Sequence, residues 1–222
     1  MIRITDLPAI VFHPLRWFKE GTRIWFSRFN KTGAKSLHTS YASIKKSSIR
    51  VEGKGNSVHL NGCDLYNSTI YLRGGGLSLV IEKEVQLENI RIKIIGNSNV
   101  VRIGVGTAMG GGNIVCGGKE ISISIGEKCV IADGVDIWST DTHSIIQDGK
   151  LVNAPKSIHI GNHVWIGKDV AILKGVTIGD DAVIGMRSTV THDVAPGTLN
   201  VGSPTRTIKE SIGWNIWNPN NS

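Results

Sequence analysis

Aliphatic side chains recur at intervals of six between residues 158 and 194, and no other feature of the sequence constrains the fold as strongly. The first set is Ile160, Ile166, Ile172, Ile178, Ile184 and Val190. A second set of mostly small or aliphatic side chains follows each of these by four positions: Val164, Val170, Val176, Ala182, Ser188 and Val194. Side chains at every second position share one face of a strand, which indicates an extended backbone. A constant interval of six then predicts a corner at the same place in every repeat, which is typical of a β-solenoid.

The alternative for such short strands is a β-sandwich, but the turns of a sandwich do not recur at constant spacing. With three strands in each coil, Ile160 is expected to lie over Ile178, and successive coils are expected about 4.8 Å apart. Each buried aliphatic side chain stabilises the fold by about 1.5–3 kcal/mol, and no coil can bury its own row alone. The predicted stack is therefore cooperative.

The repeat is interrupted once, and the interruption is long. The interval of six runs from Ile125 to Ile137, and the register resumes only at Ile160. We therefore predict an excursion loop over residues 138–155. Long excursions from a rigid scaffold tend to carry function.

We divide the chain into three segments. Residues 42–200 are predicted to form the β-helix domain, whose early coils are irregular and are marked by alternating stretches such as 90–94. Residues 1–41 form a basic, aromatic N-terminal segment. Residues 201–222 form a C-terminal segment, in which we expect a short helix from Ile208 to about Trp214.

The N-terminal segment combines aromatic and basic residues at helical spacings. The apolar positions are Trp17, Phe18, Ile24, Trp25 and Phe29. One interpretation is a helix that caps the end of the solenoid, where unpaired strand edges need cover. The alternative is an interfacial helix through which residues 1–40 contact an anionic membrane. The first 50 residues carry a net charge of +8 against +7 for the whole chain, so the rest is close to neutral. No nucleic-acid recognition motif accompanies the basic residues, and we expect no such partner.

Cysteine usage and hydropathy predict the compartment. Cys63, Cys116 and Cys129 leave one thiol unpaired in any disulfide scheme, and no CxxC motif occurs. No signal peptide is recognised, and no apolar run reaches the ~18 residues of a membrane span. We therefore expect a cytoplasmic protein, at the inner face of the membrane if the N-terminal helix is interfacial. Cys129 falls in an inward slot and is predicted to be a core residue, not a nucleophile.

Two motifs support a family assignment. The run Ile160-Gly-Asn-His-Val-Trp-Ile-Gly-Lys168, with its continuation to Gly185, resembles the hexapeptide-repeat acyltransferases. The tail Val201-Gly-Ser-Pro-Thr-Arg206 is similar to the C-terminal segment of that family. Within the family, the sequence looks most like the galactoside, maltose and capsular-polysaccharide O-acetyltransferases. The resemblance implies an all-β, left-handed parallel β-helix and a homotrimer with sites between subunits. It also implies acetyl-coenzyme A as co-substrate.

His143, in the excursion loop, is the candidate general base. Transfer of an acyl group from a thioester to a hydroxyl requires removal of the hydroxyl proton, and a neutral imidazole can accept it near pH 7. Asp141 or Asp148 is close enough in sequence to orient the imidazole, although a solvated loop histidine is the alternative. The resemblance implies the catalytic role, because the family places its catalytic histidine on such a loop in a setting like Thr140-Asp141-Thr142-His143-Ser144-Ile145.

Trp165 points outward by its position in the repeat, and an exposed indole on a strand needs a partner. From the residues alone, that partner is a neighbouring subunit. The resemblance implies that Trp165 packs against the thioester and pantetheine arm of acetyl-coenzyme A, so we count it with His143 and Asp141 as catalytic. The further cofactor contacts that the resemblance implies are Gly167, Lys168, Gly185, Met186, Thr191, His192, Arg206 and Lys209. Met186 and His192 depart from the residues usual at those positions.

A metal site is not expected. His159 and His163 point outward, and an interface zinc is known in carbonic anhydrases of this fold. Such a site requires a third histidine at a different spacing, which the sequence does not place nearby.

The predicted function is therefore acetyl-coenzyme A-dependent O-acetylation of a sugar hydroxyl. The acceptor implied is a carbohydrate, a bacterial surface polysaccharide of capsular type, including one built of sialic acid. Direct transfer is expected, because no activated serine or cysteine nucleophile appears. The alternatives are an N-acetyltransferase acting on an amino sugar or an antibiotic, and a non-catalytic trimeric scaffold.

Overall fold

The protein folds as stacked coils of short strands. The structure, a computed structural model, describes residues 23–25, 28–32 and 36–216. Every regular element in these ranges is a β-strand. Within the same ranges, no helix has the length and hydropathy needed to cross a membrane.

The strands are short and follow one another closely along the chain. The first twelve are β1 (Arg23–Trp25), β2 (Arg28–Thr32), β3 (Ser36–Ser40), β4 (Ser43–Lys45), β5 (Ser48–Glu52), β6 (Ser57–Asn61), β7 (Asp64–Tyr66), β8 (Thr69–Gly75), β9 (Ser78–Ile81), β10 (Gln86–Glu88), β11 (Ile90–Asn97) and β12 (Val100–Ile103). The others are β13 (Ala108–Met109), β14 (Gly112–Lys119), β15 (Ser122–Ile125), β16 (Val130–Ile131), β17 (Val135–Trp138), β18 (Ile146–Gln147), β19 (Lys150–Leu151), β20 (Ile158–Ile160), β21 (Trp165–Ile166), β22 (Ala171–Leu173), β23 (Thr177–Ile178), β24 (Val183–Ile184), β25 (Thr189–Val190), β26 (Leu199–Val201) and β27 (Arg206–Lys209).

Each coil contributes one strand to each of three parallel sheets, which form the faces of a triangular prism. Sheet A has the order β1-β4-β7-β10-β13-β16-β21-β24-β26-β27, and only its last pair, β26 with β27, is antiparallel. Sheet B has the order β2-β5-β8-β11-β14-β17-β22-β25. Sheet C has the order β3-β6-β9-β12-β15-β20-β23, so the described residues make seven complete coils and part of an eighth.

The predicted columns of aliphatic residues are confirmed by the strand register. Ile125 pairs with Ile160 and Ile160 with Ile178 in sheet C. The two other columns are equally regular, with Ile131, Ile166 and Ile184 in sheet A and Ile137, Ile172 and Val190 in sheet B. Together with their neighbours, these side chains form one continuous buried core.

Two polar members of the inward columns are accommodated by hydrogen bonds. The Ser188 hydroxyl, which is buried, accepts a hydrogen bond from the Gly202 amide at 3.0 Å. The Cys129 thiol contacts the Gly161 carbonyl at 3.2 Å and is buried, which confirms its prediction as a core residue. Burial also raises the pKa of this thiol, so it is a poor nucleophile.

The early coils are longer than the late ones, which explains why their period is not six. Corresponding residues are 21 or 22 positions apart in coils two to five, but 18 apart after the excursion. Most of the extra residues lengthen the strands of sheet B, which have seven residues in β8 and eight in β11 against three in β22, before the corner with sheet C. There the buried Asn56 amide donates hydrogen bonds to the carbonyls of Glu52 and Gly74 at 2.8 and 3.0 Å, replacing backbone pairing.

The predicted N-terminal helix is wrong where the structure describes this segment. Residues 1–22 lie outside the described residues. From Arg23 onward, β1 and β2 pair in parallel with β4 and β5, so the solenoid begins before residue 42. A short stretch of aromatic and basic residues fits both the helical period of 3.6 and the strand period of two. Pairing with the next coil decides between a helix and a strand.

The predicted C-terminal helix is also wrong. The chain turns back after Val201 and forms β27 antiparallel to β26. The Thr207 hydroxyl donates a hydrogen bond to the buried Asn200 side chain at 2.8 Å. Residues 212–215 that follow carry no regular secondary structure. An edge strand of sheet A supplies backbone partners that a single isolated helical turn would lack.

Candidate active site

The excursion loop leaves the prism at the corner between sheets B and C. It begins after Trp138, the last residue of β17, and returns at Ile158, the first residue of β20. Its tip is a hairpin in which β18 and β19 pair antiparallel around a turn at Asp148 and Gly149, both with positive φ. The excursion thus covers residues 139–157, where the sequence predicted residues 138–155.

A polar cluster holds the base of this loop against the next coil. Asp141 accepts hydrogen bonds from the Lys174 ammonium and, at 2.7 Å, from the Asn153 amide. Lys174 also donates to the Asn153 carbonyl at 3.0 Å, and its side chain is only 19% exposed. Lys174, followed by Asn153, holds the pKa of the Asp141 carboxyl below its ordinary value. The carboxylate therefore stays charged at neutral pH. The stability that its contacts with Lys174 and Asn153 contribute is lost only as the pH falls through the lowered pKa.

His143 lies directly beyond this cluster and is exposed. Its backbone carbonyl accepts a hydrogen bond from the Asn153 amide at 2.8 Å, and the Asn153 side-chain oxygen accepts one from the Ile145 amide at 2.7 Å. Asn153 thus fixes the backbone on both sides of the histidine and leaves the imidazole free to meet a reactant. The Asp141 carboxylate is engaged by Lys174 and Asn153, so its predicted role in orienting the imidazole stays a prediction.

Replacing Lys174 with methionine tests the cluster, because it removes the ammonium and keeps the length of the stem. We expect kcat to fall by roughly tenfold, with the affinity for the acyl donor unchanged, since a loosely held base spends less time in a productive geometry. Hydrogen exchange at the Ile145 amide should accelerate in the variant. Lys156, exposed at the other end of the excursion, provides the control substitution Lys156→Met. Equal kcat values in the two variants would contradict this role of Lys174.

Trp165 lies on the outer side of sheet A, as predicted, with 45% of its surface exposed. In register it continues a column of apolar side chains: Ala108, Val130, Trp165, Val183 and Leu199. Val183 is only 6% exposed although it faces outward. The column forms an apolar strip along the prism with an indole at its centre, a surface suited to an extended apolar chain.

The C-terminal tail closes one side of this strip. The Trp214 ring stacks on His163 with centroids 4.2 Å apart, and its indole N–H donates to the His163 carbonyl at 2.7 Å. The Trp214 ring also lies 6.0 Å from that of Trp165. His163 is held in turn by a 2.7 Å contact between its Nδ1 and Asp181. The tail is therefore part of the aromatic site around Trp165.

The other predicted contact residues fall into two groups. Gly167, Lys168, Gly185 and Met186 follow the ends of β21 and β24 in two successive coils, stacked at the corner between sheets A and B, and Arg206 and Lys209 lie on β27 at the end of sheet A. Thr191 and His192 instead follow β25, at the corner between sheets B and C. This is the corner from which the loop bearing His143 leaves. The first group therefore lies along sheet A and its corner with sheet B, and the second lies two coils beyond the point where the loop leaves.

The two outward histidines considered for zinc have protein partners. His159 Nδ1 lies 2.7 Å from the Ser124 hydroxyl, and His163 is engaged by Asp181 and Trp214. In the described ranges, no three histidine, cysteine or carboxylate side chains are grouped as metal ligands.

Sequence reasoning missed three residues of these clusters: Lys174, Asn153 and Trp214. The signal for Lys174 was its place one repeat beyond the excursion, at the same corner. Trp214 carried the weaker signal of an aromatic residue in a polar tail. Asn153 is one of many loop asparagines, and only the folded hairpin shows what it binds.

Comparisons with known proteins support the resemblance found in the motifs. Residues 157–192 match the family described as bacterial transferase hexapeptide (six repeats). A polysialic acid O-acetyltransferase of Neisseria meningitidis is 37% identical over 130 residues, which cover 57% of this chain and 60% of that protein. The matched region thus spans less than two thirds of this curated relative.

Two solved structures match over nearly the whole described fold. The polysialic acid O-acetyltransferase OatWY superposes with a TM-score of 0.76 at 29% identity, covering 90% of this chain and 93% of that one. The polysialic acid-specific acetyltransferase NeuO gives a TM-score of 0.63 at 25% identity, covering 91% and 90%. The resemblance to hexapeptide-repeat acyltransferases and the left-handed parallel β-helix are confirmed.

Proposed function

We propose that the protein is an acetyl-coenzyme A-dependent O-acetyltransferase that modifies a hydroxyl of a sialic acid polymer. The observation that carries this proposal is that the chain has both a projecting loop that bears His143 and an apolar strip centred on Trp165. The strip suits the pantetheine arm of the donor, and exposed cations at its end, Arg206 and Lys209, suit its phosphates. The acceptor is inferred from relatives whose names specify polysialic acid.

The chemistry is a direct transfer. The acceptor hydroxyl gives its proton to the His143 imidazole as its oxygen attacks the thioester carbon. The carbon–sulfur bond then breaks, and the imidazolium returns the proton to the departing sulfur. Trp165 holds the thioester in reach, so its contribution is positioning of the donor.

We also propose that the working unit is a homotrimer. The loop bearing His143 leaves the corner between sheets B and C, which is opposite the face formed by sheet A in a triangular prism. Sheet A carries Trp165, so one subunit presents its base away from its own strip. A cyclic arrangement in which each loop meets the next subunit's strip would complete three equal sites. A cytoplasmic location is part of the proposal and is supported by three free, buried cysteines.

An acceptor panel tests the function. Acetyl-coenzyme A is supplied with polysialic acid, with sialic acid oligomers, with maltose and with an amino sugar, and free thiol and product mass are measured. The expected result is thiol release with sialic acid acceptors and a base-labile acetyl ester in the product. A base-stable amide on the amino sugar would show that the protein is an N-acetyltransferase. If no acceptor causes thiol release, the remaining alternative is a non-catalytic scaffold.

Replacing Trp165 with alanine tests the donor site. We expect the dissociation constant for acetyl-coenzyme A to rise by roughly tenfold, because the apolar strip loses its largest contact surface. Calorimetric titration gives the constant directly. Tyr66, an exposed aromatic residue on the same sheet in coil three, supplies the control Tyr66→Ala. An unchanged constant for the Trp165 variant would reassign the indole to packing between subunits.

A further inference from the structure

The outer side of sheet B in coils two to four is strongly positive. Its strands β5, β8 and β11 carry Arg50, Arg73, Arg91 and Lys93, against the single carboxylate of Glu52. These cations lie on three successive coils about 4.8 Å apart. By strand register, no two of these cations are direct neighbours: Arg50 and Lys93 lie on either side of Tyr71, Arg73 lies between Glu52 and Ile95, and Arg91 lies beside Thr69.

The other two faces of the same coils are not positive. The strands of sheet A carry Lys45, Asp64 and Glu88, with acidic residues in excess. On sheet C, the charged strand residue is Arg102, and it forms an ion pair with Glu82 at 2.6 Å. The excess positive charge in coils two to four of the described structure is therefore a property of sheet B.

The single carboxylate of this face is already engaged. Glu52 accepts hydrogen bonds from the Tyr71 hydroxyl at 2.8 Å and from Arg50 Nε at 2.6 Å. The Arg50 guanidinium also lies 5.6 Å from the centre of the Tyr71 ring. In the described part of the chain, no carboxylate pairs with Arg73, Arg91 or Lys93. Three cations thus remain available to an external anion beside an aromatic ring.

The positive face leads towards the loop of the candidate active site. Arg50, Tyr71, Lys93, Val115 and Trp138 form one outward column by strand register, in which Val115 is covered and only 4% exposed. Trp138 is the residue after which the excursion leaves the prism. At about 4.8 Å per coil, the column runs roughly 20 Å from Arg50 to the foot of the loop that bears His143. A ligand that fills it must be extended and must carry several negative charges.

We propose that the outer side of sheet B in coils two to four is an extended binding site for an anionic polysaccharide chain. The carboxylates of successive sugars pair with Arg73, Arg91 and Lys93, and Tyr71 packs against a sugar ring. The bound chain runs along the column and delivers a distant sugar to the catalytic loop. The inference rests on the proposed function for its substrate but concerns a surface separate from the acyl donor site.

The test compares two triple variants with the same loss of charge. The first, Arg73→Gln, Arg91→Gln and Lys93→Gln, removes the cations of the face. The control, Lys45→Gln, Lys83→Gln and Arg102→Gln, removes three cations elsewhere on the same coils. Binding of polysialic acid is measured without acetyl-coenzyme A at low and at physiological salt, and KM is measured for the polymer and for a sialic acid trimer.

The face variant is expected to bind the polymer roughly tenfold more weakly at low salt and to lose most of the salt dependence. Its KM for the polymer should rise with kcat unchanged, while its KM for the trimer and for acetyl-coenzyme A stays that of the wild type. The control triple should behave as the wild type. Polymer binding is measured without acetyl-coenzyme A, so it can be detected even if the protein acetylates no acceptor. The binding site on sheet B and the proposed acetyltransferase function can therefore be contradicted independently.

Two outcomes would overturn the inference. One is an equal loss in both triple variants, which would show an effect of net charge alone. The other is wild-type polymer binding in the face variant together with lost binding to vesicles of anionic phospholipid, which would make the face a membrane contact. If the triple variant does not fold, the single variant Arg91→Gln is measured against Arg102→Gln, with a threefold loss expected.

Discussion

Replacing His143 with alanine is expected to lower kcat by roughly 10²–10⁴-fold, the contribution typical of a positioned general base. The dissociation constant for acetyl-coenzyme A should stay unchanged, because the apolar strip around Trp165 lies on sheet A and the histidine on the excursion loop. The loop itself should keep its shape, since Asn153 binds the backbone of residues 143 and 145 and not the imidazole. Stopped-time assays of acetyl ester formation and a separate donor titration measure the two quantities.

His159→Ala is the matched control for this experiment. His159 is also exposed and lies on β20, the strand of sheet C to which the excursion returns, where its ring contacts Ser124. Its loss should leave kcat within a factor of about two, since surface substitutions away from a site have small effects. Wild-type turnover in the His143 variant would remove the base from the mechanism.

Replacing Gly74 with alanine is expected to destabilise the solenoid by several kcal/mol, a larger effect than any surface substitution. Gly74 has a φ of +145° and lies at the corner between sheets B and C, stacked between Gly53 and Gly96. A Cβ at this position would overlap the carbonyl oxygen of Gly96, which belongs to the next coil. The two coils would have to separate, and the strands that pair across them would lose hydrogen bonds.

The matched control is Gly149→Ala, at the turn of the excursion hairpin. Gly149 also has a positive φ, +71°, but a Cβ there meets no atom within 4 Å. We expect a cost of about 1 kcal/mol from backbone strain alone. Thermal unfolding followed by circular dichroism compares the two variants. Similar melting temperatures would show that the corner can open, and the close stacking of coils would then be wrong at this corner.

The late coils could be predicted from the sequence because each side of the prism has one strand and one corner in six residues. The spacing of Ile160 and Ile178 therefore predicts directly that these two residues stack. The early coils have the same architecture without the interval of six, because their strands in sheet B are longer, as in β8 and β11. Strand positions such as 90–94 were predictable there, but their assignment to sheets was not.

The candidate site was predictable to the extent that it follows the repeat. The excursion could be located because the register fails after Ile137 and returns at Ile160. The contacts within the excursion could not be predicted, because Asp141 binds Lys174, which lies 33 residues further along the chain, and Asn153, which lies 12 residues further along. Trp214 meets His163 across 51 residues, through a tail that has no repeat to fix its register. Both helix predictions failed for a related reason, since strand pairing, with the next coil for β1 and β2 and with β26 for β27, outweighed local spacing.

The central claim is that each active site joins the loop of one subunit to the apolar strip of another. It is tested most directly by mixing His143→Ala subunits with Trp165→Ala subunits, refolding them together, and assaying transfer at low acetyl-coenzyme A. Each variant alone should be nearly inactive under these conditions. Mixed trimers contain sites with an intact histidine from one subunit and an intact tryptophan from its neighbour, so about a quarter of wild-type activity should return. No recovery, with mixed trimers demonstrated by mass spectrometry, would place both residues in the same subunit's site and contradict the claim.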